Sequence, residues 1–270
     1  MQSSRVFLIA LTLVGAACTT TTTTTTSNDG VSKVTGPPSG RLTTEADVRA
    51  RAQARTDLAA GYYRNGQLAV ALEEVKRATA IDTNYAPAYG LLGLIYMDLN
   101  EQRDAEENFQ RALKLDPANS ELNNNYGFFL CNTGRERASI DYFNRAIRDP
   151  LYQTPARANQ NAGSCLMRIK DYAAAEPYLR RAFELDAGLA VPKFLLARLY
   201  LATNQVEKAT FYYNILAKSV EPSAESLWLG LRVARANADL RTESQLANEL
   251  RQRFPQATET AALARGEFDN

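Results

Sequence analysis

The sequence predicts an all-α solenoid of about six stacked helix pairs, and three observations predict it. Small residues recur at Ala59, Gly93, Gly127, Gly163 and Ala197, spaced 34, 34, 36 and 34 residues apart, and again at Ala71, Ala105, Ser139, Ala175 and Ala209 with the same spacings. Large side chains keep the same beat at Tyr62, Tyr96, Leu130, Leu166 and Tyr200, and at Val75, Phe109, Phe143, Leu179 and Tyr213. Turn signals fall in register at Asn65-Gly66, Leu99-Asn100, Thr133-Gly134, Ile169-Lys170-Asp171 and Thr203-Asn204. One helix pair cannot bury its apolar face alone, so units repeated at this period must stack on one another.

The chain has 270 residues, and residues 1–17 read as an export signal. Arg5 is the only charge of a short n-region, and Val6 to Ala17 is apolar but too short to span a bilayer. Gly15-Ala16-Ala17 followed by Cys18 resembles the bacterial lipoprotein cleavage site, where the cysteine takes a diacylglycerol and becomes the new N-terminus. Gly15 stands where leucine is usual, and the competing reading is an ordinary cleaved signal. Acyl chains on Cys18 would anchor the protein stably, each buried methylene contributing about 0.8 kcal/mol. An Asp after the cysteine often marks inner-membrane retention in such lipoproteins, and Thr19 there points to the outer membrane.

Residues 18–40 are rich in Thr, Ser, Gly and Pro, cannot bury a core, and read as a disordered tether with a span of roughly 25–30 Å. The solenoid is expected over 41–255, with repeats at 52–85, 86–119, 120–155, 156–189 and 190–223 and a degenerate sixth at 223–255. Residues 41–51 extend the first helix. The two extra residues of the third repeat fall in Asp149 to Pro155, where Pro150 and Pro155 should interrupt helix. Residues 256–270 form a C-terminal tail, in which Glu259 onward is a short helix or frayed end.

Composition narrows the chemistry. Lys+Arg is 31 against Asp+Glu 30, without the basic excess of a nucleic-acid binder. There is no histidine, which excludes Ser-His-Asp and Cys-His catalysis and histidine metal sites. No phosphate loop, nucleophile elbow or metal-ligand spacing is present, so neither enzyme activity nor a cofactor or metal is expected. With Cys18 assigned to lipid, Cys131 and Cys165 remain; an exported pair should oxidise, and the alternative is two buried free thiols.

The repeat resembles the tetratricopeptide repeat (TPR), which implies a right-handed superhelix of antiparallel helix pairs. In that fold, positions 2, 5, 9, 12 and 13 of each first helix line a concave groove. The resemblance therefore implies a protein-binding groove containing Tyr63, Leu94, Met97, Asn124, Phe128, Asn132, Met167, Arg168, Phe194 and Arg198. The Lys/Asn clamp of cytosolic co-chaperones is absent, since position 5 is Thr56, Gly90 and Asn124 in the first three repeats.

A narrower resemblance rests on Asn123-Asn124-Asn125-Tyr126-Gly127-Phe128-Phe129-Leu130-Cys131, Asp149-Pro150-Leu151-Tyr152 with Pro155, Asn161-Ala162-Gly163-Ser164-Cys165, Leu227-Trp228-Leu229-Gly230-Leu231-Arg232 with Arg235, and Arg253-Phe254-Pro255. These segments are similar to the type IV pilus biogenesis and stability lipoproteins, over roughly Met1 to Pro255. Both cysteines match the family's paired cysteines. The resemblance implies a six-repeat outer-membrane pilotin on the periplasmic side, held by its lipid. It would bind the secretin subunit and support its targeting and assembly for pilus extension and twitching motility, with no small-molecule substrate and no nucleic acid. The alternative is a periplasmic TPR scaffold lipoprotein serving outer-membrane protein insertion or peptidoglycan machinery.

Overall fold

The computed structural model describes residues 44–268; the signal segment, Cys18 and the tether lie outside the described residues. Those described form thirteen α-helices and no strand. Six antiparallel pairs follow one another: α1 (Glu45–Arg64) with α2 (Leu68–Ile81), α3 (Ala86–Asp98) with α4 (Gln102–Leu115), and α5 (Ser120–Asn132) with α6 (Glu136–Arg148). Then come α7 (Pro155–Arg168) with α8 (Tyr172–Leu185), α9 (Ala190–Ala202) with α10 (Val206–Ser219), and α11 (Ala224–Ala236) with α12 (Leu240–Arg253). A short α13 (Thr258–Arg265) ends the array.

Local chemistry sets the boundaries. Thr44 caps α1 through a reciprocal box with Asp47, satisfying two of the helix's unpaired amides. The turn inside every pair carries one left-handed residue: Gly66, Asn100, Gly134, Lys170, Asn204 and Ala238, with φ between 55° and 79°. That conformation closes the first helix so that the second folds back on it. Helix is interrupted over 149–154, as expected around Pro150 and Pro155, and Pro155 then opens α7 at a first-turn position, where a missing N–H costs nothing.

Small residues set the spacing within pairs. A β-carbon added at Gly93 would sit 2.7 Å from the Phe109 ring, and one at Gly163 would sit 2.5 Å from Leu179. At these two points the first helix has no side chain, and the second helix's large residue fills the space a side chain would take. Consecutive first helices (α1, α3, α5, α7, α9, α11) also approach one another backbone to backbone, whereas consecutive second helices meet only through side chains, as where the Tyr178 hydroxyl donates to Asn144 Oδ1 at 2.9 Å and the Phe183 ring meets Tyr212 edge-on. The first helices thus form the tight inner layer and the second helices the splayed outer one. Buried apolar clusters run between the layers from Ala59 to Leu250.

Cys131 on α5 and Cys165 on α7 are joined by a disulfide, their Cα atoms 5.9 Å apart. It crosses between adjacent first helices and sits in a cluster with Phe143 and Ala162.

Candidate protein-binding groove

The inner layer carries the candidate site, and the structure divides the ten predicted groove residues into two groups. Met167, Arg168, Phe194 and Arg198 come together around one cavity of about 500 Å³, on the inner face of α7 and α9 and closed by the link into α11. Its floor is apolar: Met167, Val191, Phe194, Leu195, Leu216 and Val220. A second cavity of about 240 Å³ adjoins it, sharing Phe194, Arg198 and Glu225 and reaching Trp228 on α11. Arg198 is exposed, and neither it nor Glu225 has an ion-pair partner among the described residues. The site is thus an apolar trough with Arg198 and Glu225, neither ion-paired among the described residues, where the two cavities meet.

The other six predicted residues lie on earlier repeats, outside this trough, and most are engaged within the protein. Tyr63 packs against the first apolar cluster and its hydroxyl donates to Asp98 at 2.7 Å. Burial, then the accepting and negative Asp98 carboxylate, hold that phenol well above the ordinary tyrosine range, so it is a permanent donor. Leu94 and Met97 pack, half-buried, against Phe109, Tyr126 and Phe129. Phe128 is 37 % exposed. Asn132 accepts from Arg168 Nη1 at 3.1 Å, and Arg168 also pairs with Glu136 at 3.6 Å.

Two expected surface positions are corrected. Asn124 is only 8 % exposed, and its Oδ1 accepts from Asn161 Nδ2 at 3.1 Å, so it ties the third repeat to the fourth. Met167 is 2 % exposed and forms floor, not rim. The neighbouring Asn123 is fully buried; its Nδ2 donates to the carbonyls of Pro117 and Asn119 at 3.0 and 2.8 Å. The asparagine run therefore fixes the entry and the neighbour of α5 instead of offering itself to a ligand.

Sequence reasoning missed Leu216, Val220 and Glu225. A signal was present: Leu216 stands where the series Ala78, Ala112, Ala146 and Ala182 would put alanine. The sixth repeat's blurred register hid the rest.

Models of the tetratricopeptide repeat match residues 86–119, 108–141 and 166–225. The type IV pilus assembly protein PilF of Pseudomonas aeruginosa is 26% identical over 259 residues, spanning 96% of each chain. The crystal structure of PilW, described as a widely conserved type IV pilus biogenesis factor, is 30% identical with a TM-score of 0.74, covering 79% of this chain and 98% of that one. The chain belongs to this family of type IV pilus biogenesis factors. The solved structure of Pseudomonas aeruginosa PilF superposes with a TM-score of 0.76 at 25% identity, covering 82% of this chain and 99% of that one.

As a TPR protein of this pilus biogenesis family, the chain presents a helical scaffold of the kind that binds protein partners. Among the described residues no group of three or more His, Cys, Asp or Glu could hold a metal ion. No helix among them is long and apolar enough to cross a membrane.

Proposed function

We propose that the chain is a lipid-anchored pilotin that binds the secretin subunit of the type IV pilus machinery at the outer membrane. The observation that carries this reading is the open trough over repeats four to six, with Phe194 on its floor and Arg198, without an ion-pair partner among the described residues, at its middle, in a chain of the pilus biogenesis family. Such a trough gains free energy when a partner segment covers its apolar floor, at roughly 25 cal/mol per Å² removed from water. Its central charges add register, since a wrong partner leaves them desolvated and unpaired.

No turnover, cofactor or metal enters the mechanism. Acylation of Cys18 supplies membrane attachment, and the 18–40 tether lets the solenoid reach partners near the membrane surface. Lipid and trough on one chain raise the effective concentration of bound secretin at the membrane.

The test deletes the gene and measures secretin multimers, surface pili and twitching. All three should fall, and the wild-type gene should restore them. A folded Phe194→Ala, Arg198→Glu double variant should fail to restore multimers. Normal multimers and motility in the deletion strain would overturn the reading and assign the chain to another envelope-assembly complex. The Cys18→Ala protein should appear in the soluble periplasmic fraction.

A further inference from the structure

The inner surface of the sixth repeat is already covered, and the chain itself covers it. Helix α13 packs on α11 and α12 where the first helix of a seventh repeat would lie. It ends at Gly266, whose left-handed φ of 70° turns the chain back. Phe268 then stacks on Trp228, ring centroids 5.5 Å apart and planes within 17°. The guanidinium of Arg235, itself paired with Glu243 at 2.9 Å, lies 3.9 Å from the centre of the Phe268 ring. This strap borders the trough: Glu259 lines the smaller cavity beside Phe194, Arg198 and Trp228.

The strap is held lightly. Helix α13 has eight residues and none of them is buried. A helix of that length is not stable by itself in water. Its ties to the solenoid are the aromatic stack with its cation, the half-buried Ala262 and Leu263 packed on the α11–α12 cluster, and the Thr260 hydroxyl donating to the Phe254 carbonyl at 2.6 Å. The surface beneath is firm by contrast: Leu227, Trp228, Leu231 and Leu250 form a buried cluster. A weakly held segment therefore covers a rigid aromatic and cationic surface that runs on into the open trough.

We propose that Thr258–Phe268 is a displaceable strap, and that the α11 face beneath it, centred on Trp228 and Arg235, is an interaction surface for an aromatic-bearing segment of the partner protein. The strap itself shows the chemistry this face accepts. Trp228 takes a second ring in a near-parallel stack, and the Arg235 cation lies over that same ring. An aromatic side chain from a segment lying in the trough reaches the same place once Phe268 leaves. The inference rests on the partner-binding reading above and adds regulation to it: apparent affinity is reduced by the fraction of molecules with the strap closed.

Trp228 is the single tryptophan, so its emission reports the occupant directly. Two probes are titrated against the full mature chain and its Phe268→Ala variant. The first is a synthetic peptide with the sequence of Thr258–Phe268. It should bind the variant about tenfold more tightly than wild type, changing Trp228 emission, while the same peptide carrying Phe268→Ala should not bind. Equal affinity for both chains, or binding that ignores the peptide's Phe, overturns the proposal. The second probe is the purified periplasmic region of the secretin, which should also bind the variant about tenfold more tightly. Equal or weaker binding would make Phe268 a fixed wall of the site and overturn the strap. Secretin that binds neither chain counts against the secretin reading, and the peptide arm alone then decides the strap.

Discussion

A β-carbon on Gly127 would lie 2.9 Å from Cε1 of Phe143, closer than real contacts of this kind come. The first helix of the third repeat has no side chain at this point because the second helix places a ring there. The pairing holds in the second to fourth repeats, with glycine opposite Phe109, Phe143 and Leu179, and the first repeat has alanine at 59, where the smaller Val75 fills the matching position. Gly127→Ala should therefore destabilise the protein. Overpacking costs about 1–3 kcal/mol, offset by up to about 1 kcal/mol of improved helix propensity. Urea denaturation should show a net loss of about 1–2 kcal/mol, and Phe143→Leu in the same chain should recover part of it. A stabilised single variant would refute the packing account.

The Cys131–Cys165 bond closes a loop with a sequence separation of 34. On the chain-entropy account, losing it costs about 3–4 kcal/mol. Reduction, or the Cys131→Ala, Cys165→Ala double variant, should lower the urea midpoint by a corresponding amount. The wild type should respond to reductant and the double variant should not. Removing the bond also leaves Arg168 bridging the two repeats through Asn132 and Glu136, so the repeats should remain docked.

Acid should weaken the joint between the second and third repeats. Arg135 donates to both oxygens of Glu106, at 2.6 and 3.2 Å, and Tyr126 donates to Oε1 at 3.2 Å. The hydrogen bond from Arg135, partly opposed by burial, holds the Glu106 carboxyl below its ordinary 4.5. A carboxyl with a lowered folded pKa contributes stability that is complete above the unfolded value and disappears as pH falls through the folded one. Wild type should accordingly lose stability below about pH 4.5 more steeply than Glu106→Gln. Parallel pH profiles for the two proteins would count against this linkage.

Period made most of the fold legible. The turn signals fall on the left-handed residues of the first five pairs, including Lys170, a poor residue for that conformation, because spacing carries more information than local preference, whereas Ala238 in the blurred sixth pair carried no such signal. The trough was half legible. Phe194 and Arg198 lie at regular positions of a regular repeat, whereas Leu216, Val220 and Trp228 belong to the stretch where the register decays. Asn124 was misread because a polar residue at a groove position can face a neighbouring repeat, and no single sequence says which polar group will find a partner there. The strap was illegible for a plainer reason. One Phe beyond a short helix carries no periodic signal, and its stack on Trp228 exists only once the sixth repeat has folded.

The staple between α5 and α7 also bears on load. A repeat array pulled from its ends gives way unit by unit, each unit lengthening as its helices unravel. The covalent bridge takes the segment between Cys131 and Cys165 out of that sequence, because tension passes through the sulfur atoms and not along the 34-residue path between them. Fully extended, that path would add about 110–120 Å. In an oxidising compartment the middle of the chain is therefore inextensible, and a force that opens the flanking repeats leaves it at fixed length.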